Sequence, residues 1–306
     1  MSAVLVQVLP FFALIALGYA AGRTGFFGRE ATAALTRFVF YFALPAMLFR
    51  FSATLPLADL WDPAFVAAYL SATAAVYVLV GIVALGRRTG GAVAAMEAQC
   101  AVIGNVGFLG IPMLVLLLGE AAIVPIMTVL VVDLVVFGSL IVIVITGGRD
   151  GRLSPRVLGA VGRGLLANPM IVAIVAGLSW SALSLPLPGP AASFVAILGG
   201  AATPGALFAI GCSLAQLPLE KPALAAYLST LKLVVHPAAV ALAALRFGVE
   251  PYAASVMVAA AALPVAGNVY ILAAHYGVAP ARVSASILVS TAFAVLTIPA
   301  VIALTP

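Results

Sequence analysis

The chain has 306 residues, of which 65% are hydrophobic and only 8% charged, with a mean hydropathy of +1.28 and a formal net charge of +5. A water-exposed surface takes about 25% charged residues, so a soluble globular protein is excluded and lipid must cover much of this one. Apolar runs recur along the whole length, a pattern that one secretory leader ahead of soluble sequence does not produce.

Backbone polar groups in hydrocarbon must bond within their own segment or close into a barrel. Barrel strands alternate polar and apolar residues, whereas the stretch from Ile123 to Thr146 is apolar on all sides and long enough to cross as a helix. The fold class is therefore all-α and polytopic. Ten spans are expected, at 3–22, 31–53, 64–86, 95–118, 122–146, 166–184, 190–216, 223–246, 250–275 and 281–304. The longest connection, Gly147 to Leu165, carries Arg149, Asp150, Arg152, Arg156 and Arg163.

Cytoplasmic loops carry the excess of Lys and Arg. With the N-terminus outside, the inner side takes Arg23, Arg29, Arg37, Arg87, Arg88, Arg149, Arg152, Arg156, Arg163, Lys221 and Arg282, and the outer side only Arg50 and Arg246. Both termini are expected outside a cell (inner or plasma) membrane. The basic surplus is then a topology signal and calls for no nucleic acid. Cys100 and Cys212 lie within apolar runs without metal-ligand spacing and read as small buried side chains.

The chain repeats itself. Pro10 and Gly18 match Pro169 and Gly177, and Pro45–Phe49 matches Pro204–Phe208, all at an offset of 159. Gly104-Asn105-Val106 matches Gly267-Asn268-Val269, and Gly119 matches Gly277. Residues 1–146 form a first five-helix repeat, 147–165 a cytoplasmic linker and 166–306 a second repeat. An odd number of spans per unit inverts the second copy, and folds of that kind hold substrate near the midplane on helices that break.

Spans four and nine are the expected breaks. The fourth runs Gly104-Asn105-Val106-Gly107-Phe108-Leu109-Gly110-Ile111-Pro112, the ninth Ala262-Leu263-Pro264-Val265-Ala266-Gly267-Asn268. Proline removes a backbone bond and glycine tolerates irregular dihedrals. Unwound segments expose amides and half-helix ends, and a half-helix N-terminus suits an anion. Gly104, Asn105, Gly107, Pro112, Pro264, Gly267 and Asn268 are the candidate substrate-binding positions. Each Asn has a plainer alternative, a hydrogen bond to a neighbouring helix. Pro45 and Pro204 are expected to kink spans two and seven.

Asp133, Lys232 and His236 lie inside spans, where an isolated ion costs about 2.5–3.5 kcal/mol on insertion scales. Asp133 is read as a polar ligand, a proton-coupling group or a structural partner. Lys232, nearer a span end, is read as snorkelling to the interface. His236 is read as bonding between helices or titrating near neutral pH. All three are carried as candidate coupling residues. No phosphate-binding GxxxxGK[ST] loop, HExxH or Cys/His cluster occurs, so neither ATP, a metal nor another cofactor is expected, and no catalytic residue is assigned.

On these residues the chain resembles the auxin efflux carrier family, which includes the plant PIN proteins and short bacterial members. Gly104-Asn105 followed by Gly110-Ile111-Pro112 is similar to that family's fourth-span crossover, and Ala262-Leu263-Pro264 with Tyr276 to its ninth. The resemblance implies a bile-acid-transporter-like fold with crossed helices four and nine. It also implies a dimerising scaffold from helices 1, 2, 6 and 7, a transport domain from helices 3, 4, 5, 8, 9 and 10, and elevator movement in a homodimer. Small organic anions are the implied substrates, auxin in plants and dicarboxylates such as malate or malonate in some bacteria. Asp133 falls where PIN proteins carry a polar residue facing the substrate; an acid there departs from a plant-like anion site. The long cytoplasmic loop of many plant members is missing. A sodium-coupled bile-acid-type symporter, a channel and a non-transporting receptor or sensor remain the competing readings.

Overall fold

The computed structural model describes residues 2–55, 62–150, 155–216 and 220–304. Part of the expected linker, with Arg152, lies outside the described residues. Those residues are helical and contain no strand. In chain order the helices are α1 (Ser2–Arg23), α2 (Arg29–Phe38), α3 (Leu44–Thr54), α4 (Pro63–Gly86), α5 (Gly91–Val102) and α6 (Ile111–Leu118). There follow α7 (Ile123–Val132), α8 (Gly138–Asp150), α9 (Pro155–Ala167), α10 (Pro169–Ala182), α11 (Gly189–Gly200) and α12 (Ala202–Gln216). The last five are α13 (Pro222–Thr230), α14 (His236–Phe247), α15 (Pro251–Ala261), α16 (Gly267–Tyr276) and α17 (Pro280–Leu304). Wider π turns join α2 to α3, α7 to α8 and α13 to α14, at Val39–Ala43, Asp133–Phe137 and Leu231–Val235.

Proline sits in the first turn of α4, α10, α13 and α15, where its missing N–H costs nothing. Asp62, Asn168 and Glu250 cap three of these starts through side-chain oxygens that accept backbone N–H bonds.

Among the described residues seven continuous segments are long and apolar enough to cross a membrane, and eight if the pair α9 and α10, bent by 72°, counts as one. Three expected spans therefore differ from simple crossings. The 95–118 and 250–275 spans are each two half-helices, α5 with α6 and α15 with α16, because Gly and Pro interrupt the backbone ladder. The 166–184 span holds only the 14-residue α10, and the chain turns sharply from α9 at Asn168-Pro169. Pro45 begins α3 just after a π turn, and Pro204 lies in the first turn of α12 just after α11, so each marks a joint. Large apolar side chains point outward, Ile82 at 63%, Ile197 at 79% and Leu245 at 80% exposure, as on a lipid-covered surface.

Helices of the two halves pack pairwise, α1 on α12, α3 on α10 and α4 on α14. Two of these contacts are so close that only glycine fits. A Cβ on Gly18 would come within 2.1 Å of the Phe208 carbonyl oxygen, and one on Gly177 within 2.8 Å of the Phe49 carbonyl oxygen. Gly18 and Gly177 lie 159 residues apart in the sequence, as do Phe49 and Phe208, so the two contacts join positions at that same offset with the halves exchanged. In the interior, α5 buries Ala94, Ala95, Ala98 and Ala101 and α15 buries Ala259, Ala260 and Ala261. Small residues let these backbones approach their neighbours. The buried Glu97 of α5 pairs with Arg87 at the end of α4 and with Arg282 of α17, the latter at 2.7 Å.

Candidate functional site

The breaks in the two half-helix pairs are bonded to each other. The Asn105 amide donates to the Pro264 carbonyl at 2.8 Å, and the Ala266 amide donates to the Ile103 carbonyl at 3.1 Å. Gly104 and Val265 thus form a short antiparallel bridge, which satisfies backbone groups that no helix serves. Pro264 has no N–H to leave unpaired, and its carbonyl is the acceptor. The Val265 amide donates to Ser290 Oγ of α17 at 3.1 Å. The Asn105 carbonyl accepts from the amides of Leu109 and Gly110, which opens the π turn Val106–Gly110 that leads to α6.

Three polar side chains converge here. Asn105 and Asp133 are each 4% exposed, and Asn268 follows the first residue of α16. With Gly104, Gly107, Ile103, Phe108, Leu130 and Met170 they line a narrow cleft of about 10 Å³, roughly the room for one water. The cleft shares Ile103, Asp133, Leu134, Met170 and Asn268 with a cavity of about 250 Å³. Gln99, Ser139, Asn168, His275 and Tyr276 add polar atoms to an otherwise apolar wall.

Asn105 Oδ1, Asn268 Oδ1 and Asp133 Oδ2 are buried without a hydrogen-bond partner. Buried polar groups are ordinarily paired; three unpaired ones facing a single cleft make it the candidate site. An amide turned over presents N–H donors in place of its oxygen, so both asparagines can meet an anion. The other oxygen of Asp133 accepts from Tyr69 Oη at 2.9 Å.

The remaining candidates take other places. Gly104 and Gly107 are walls of the cleft, and Gly267 opens α16, with open space where a side chain would stand. Pro112 lies in the first turn of α6 and Pro264 in the bridge; both shape the breaks and line neither cavity. Lys232 does not snorkel. It is 0% exposed, because its stem runs inward from the π turn of the α13–α14 segment, and Nζ donates to the Ala261 carbonyl. His236, also 0% exposed, bonds Thr73 of α4 through Nε2 at 3.1 Å. Among the described residues no group of three His, Cys, Asp or Glu could hold a metal.

Tyr69, Thr73, Gln99 and Glu97 escaped the reading of spans by hydropathy. Tyr69 and Thr73 stand one turn apart on α4, so a polar pair at i and i+4 in an apolar helix was the available signal. Glu97 is an acid inside the expected 95–118 span, and its burial called for a cationic partner.

A model of the family described as "Membrane transport protein" matches residues 3–302. A protein of Rhizobium meliloti (strain 1021) named "Putative malonate transporter" is 33% identical over 295 residues, 95% of this chain and 92% of that one. "Uncharacterized transporter YfdV" of Escherichia coli (strain K12) is 26% identical over 304 residues, 96% and 95% of the two chains. The chain therefore belongs to the membrane transport protein family, the family of the auxin efflux carriers, and is a multi-pass membrane transporter rather than an enzyme.

Proposed function

We propose that this transporter is a secondary active carrier of small carboxylates that binds them at the bonded breaks and moves them by an elevator-type alternating-access cycle. The observation that carries the reading is the convergence of Asn105, Asn268 and Asp133, each with an unpaired buried oxygen, on a cleft beside a 250 Å³ cavity. The name of the Rhizobium relative makes malonate the first substrate to try. The start of α16 and the turn at Val106 put partial positive charge beside the two asparagines, which favours a carboxylate.

In this reading the chain crosses the membrane ten times, with α5–α6 and α15–α16 each counted as one broken crossing, in two inverted five-helix repeats. The exchanged Gly18–Phe208 and Gly177–Phe49 contacts support the duplication. Helices α1, α3, α10 and α12 with their continuations form a scaffold that dimerises, and the other helices move against it. The tight backbone contacts within the first group support that division. Both termini lie outside the cell membrane, on the strength of the Lys and Arg distribution. A maleimide of a size that cannot cross the membrane, applied to intact cells carrying Arg163→Cys in a cysteine-free background, is expected to leave that position unlabelled.

Melting of the purified protein in the presence of mono-, di- and tricarboxylates tests the function. A ligand at one hundred times its dissociation constant stabilises by about 2.7 kcal/mol, so malonate or a close homologue is expected to raise the melting temperature. A flat response across the whole series contradicts the substrate class.

A further inference from the structure

The two breaks have negative as well as positive ends. Helix α5 stops at Val102 and α15 at Ala261, so two half-helices present their carbonyl ends inside the protein. Such ends carry partial negative charge. In carriers built on broken helices, unwound carbonyls and half-helix carboxyl ends coordinate the coupling cation.

Here that place is filled from within the chain. Lys232 Nζ donates to the carbonyl of Ala261, the last residue of α15. A Cβ built on Gly104 would lie 3.3 Å from the same Nζ and 3.2 Å from the Ala260 carbonyl oxygen, so the ammonium stands beside both breaks at once. Gly104 leaves the room it needs.

The charge is balanced at a distance. Among the described residues the direct ion pairs are those of Glu97, and Lys232 has none within 4 Å. Its Nζ instead lies 3.4 Å from His236 Nδ1, and His236 Nε2 lies 3.1 Å from Thr73 Oγ1. Tyr69, one turn before Thr73 on α4, donates through Oη to Asp133. With Nδ1 accepting from the ammonium and Nε2–H donating to Thr73, the cation is tied through His236 to α4, the helix whose Tyr69 holds the acid.

We infer that the Lys232 ammonium is a tethered cation standing where an inorganic coupling ion would bind, so that the crossover is complete without sodium. The amide ends and the asparagines remain open to the substrate while the carbonyl end of α15 is held by Lys232. The inference deepens the carrier reading of this site, but its test uses no substrate, so the two can fail separately.

The test is the melting temperature of the full-length protein in sodium, choline and ethylammonium chlorides at equal concentration. Wild type is expected to melt at the same temperature in all three. Lys232→Ala, purified in ethylammonium, is expected to melt lower in choline and to regain at least half of the loss in ethylammonium, whose ammonium and short stem replace the missing part. A lysine that serves only by filling space with its stem offers no reason for choline and ethylammonium to differ. A wild-type protein stabilised by sodium over choline overturns the inference. So does a variant that melts alike in the three salts, or that fails to fold even in ethylammonium.

Discussion

The double variant Asn105→Ala/Asn268→Ala is expected to bind malonate at least about 100-fold more weakly than wild type. A hydrogen bond to a charged group contributes about 1.5–3 kcal/mol, and each 1.4 kcal/mol is a factor of ten. Each single variant should lose about 10-fold or more. The fold should survive all three changes. Asn105 Oδ1 and Asn268 Oδ1 have no partner in the protein, so alanine breaks no bond at either oxygen. The bridge that shapes the breaks runs through the Asn105 backbone amide, which alanine keeps. Calorimetric titration beside a melting curve reads both quantities. Wild-type affinity in the double variant removes the crossover from consideration.

Asp133→Asn should abolish the pH dependence of uptake while leaving exchange in place. One oxygen of Asp133 is anchored by Tyr69 and the other faces the cleft that Asn105 and Asn268 line. A substrate carboxylate entering the cleft meets a second negative charge of the same sign, and like charges that share a site favour taking up a proton. Substrate affinity in the wild type is therefore expected to rise as pH falls, because binding draws a proton onto the site. The amide cannot take that proton. Its carbonyl still accepts from Tyr69, so the neighbouring helices stay joined. In proteoliposomes the variant should keep malonate counterflow and lose at least 10-fold in uptake driven by an inward proton gradient. A variant that melts lower yet keeps the wild-type pH dependence marks Asp133 as a structural partner instead.

Much of the membrane architecture was legible because hydropathy acts over whole segments. A stretch such as Ile123 to Thr146 has one stable place, and the Gly and Pro residues around Asn105 and Asn268 mark where a helix cannot continue. What hydropathy does not carry is which segments meet. Nothing in 104–106 or 264–266 announces that Asn105 will donate to Pro264 across the break. Lys232 was misplaced for the same reason. Distance to a span end measures the route to water, but the π turn and the carbonyl of Ala261 supplied a nearer partner inside. The bend at Asn168-Pro169 was hidden by apolar sequence on both sides of it. Tyr69 and Thr73 carry no signal in hydropathy, and their roles follow only from the fold, which brings Asp133 to one and His236 to the other.

Counterflow tests the central claim most directly. Proteoliposomes loaded with unlabelled malonate and diluted into labelled malonate should accumulate label transiently above equilibrium. The double Asn105→Ala/Asn268→Ala variant, reconstituted to the same density, should accumulate none at the concentration that half-saturates wild type. That pair of results requires a site that faces both sides in turn and includes the crossover. Binding of malonate by the wild type without counterflow would contradict the account and leave a receptor in place of a carrier.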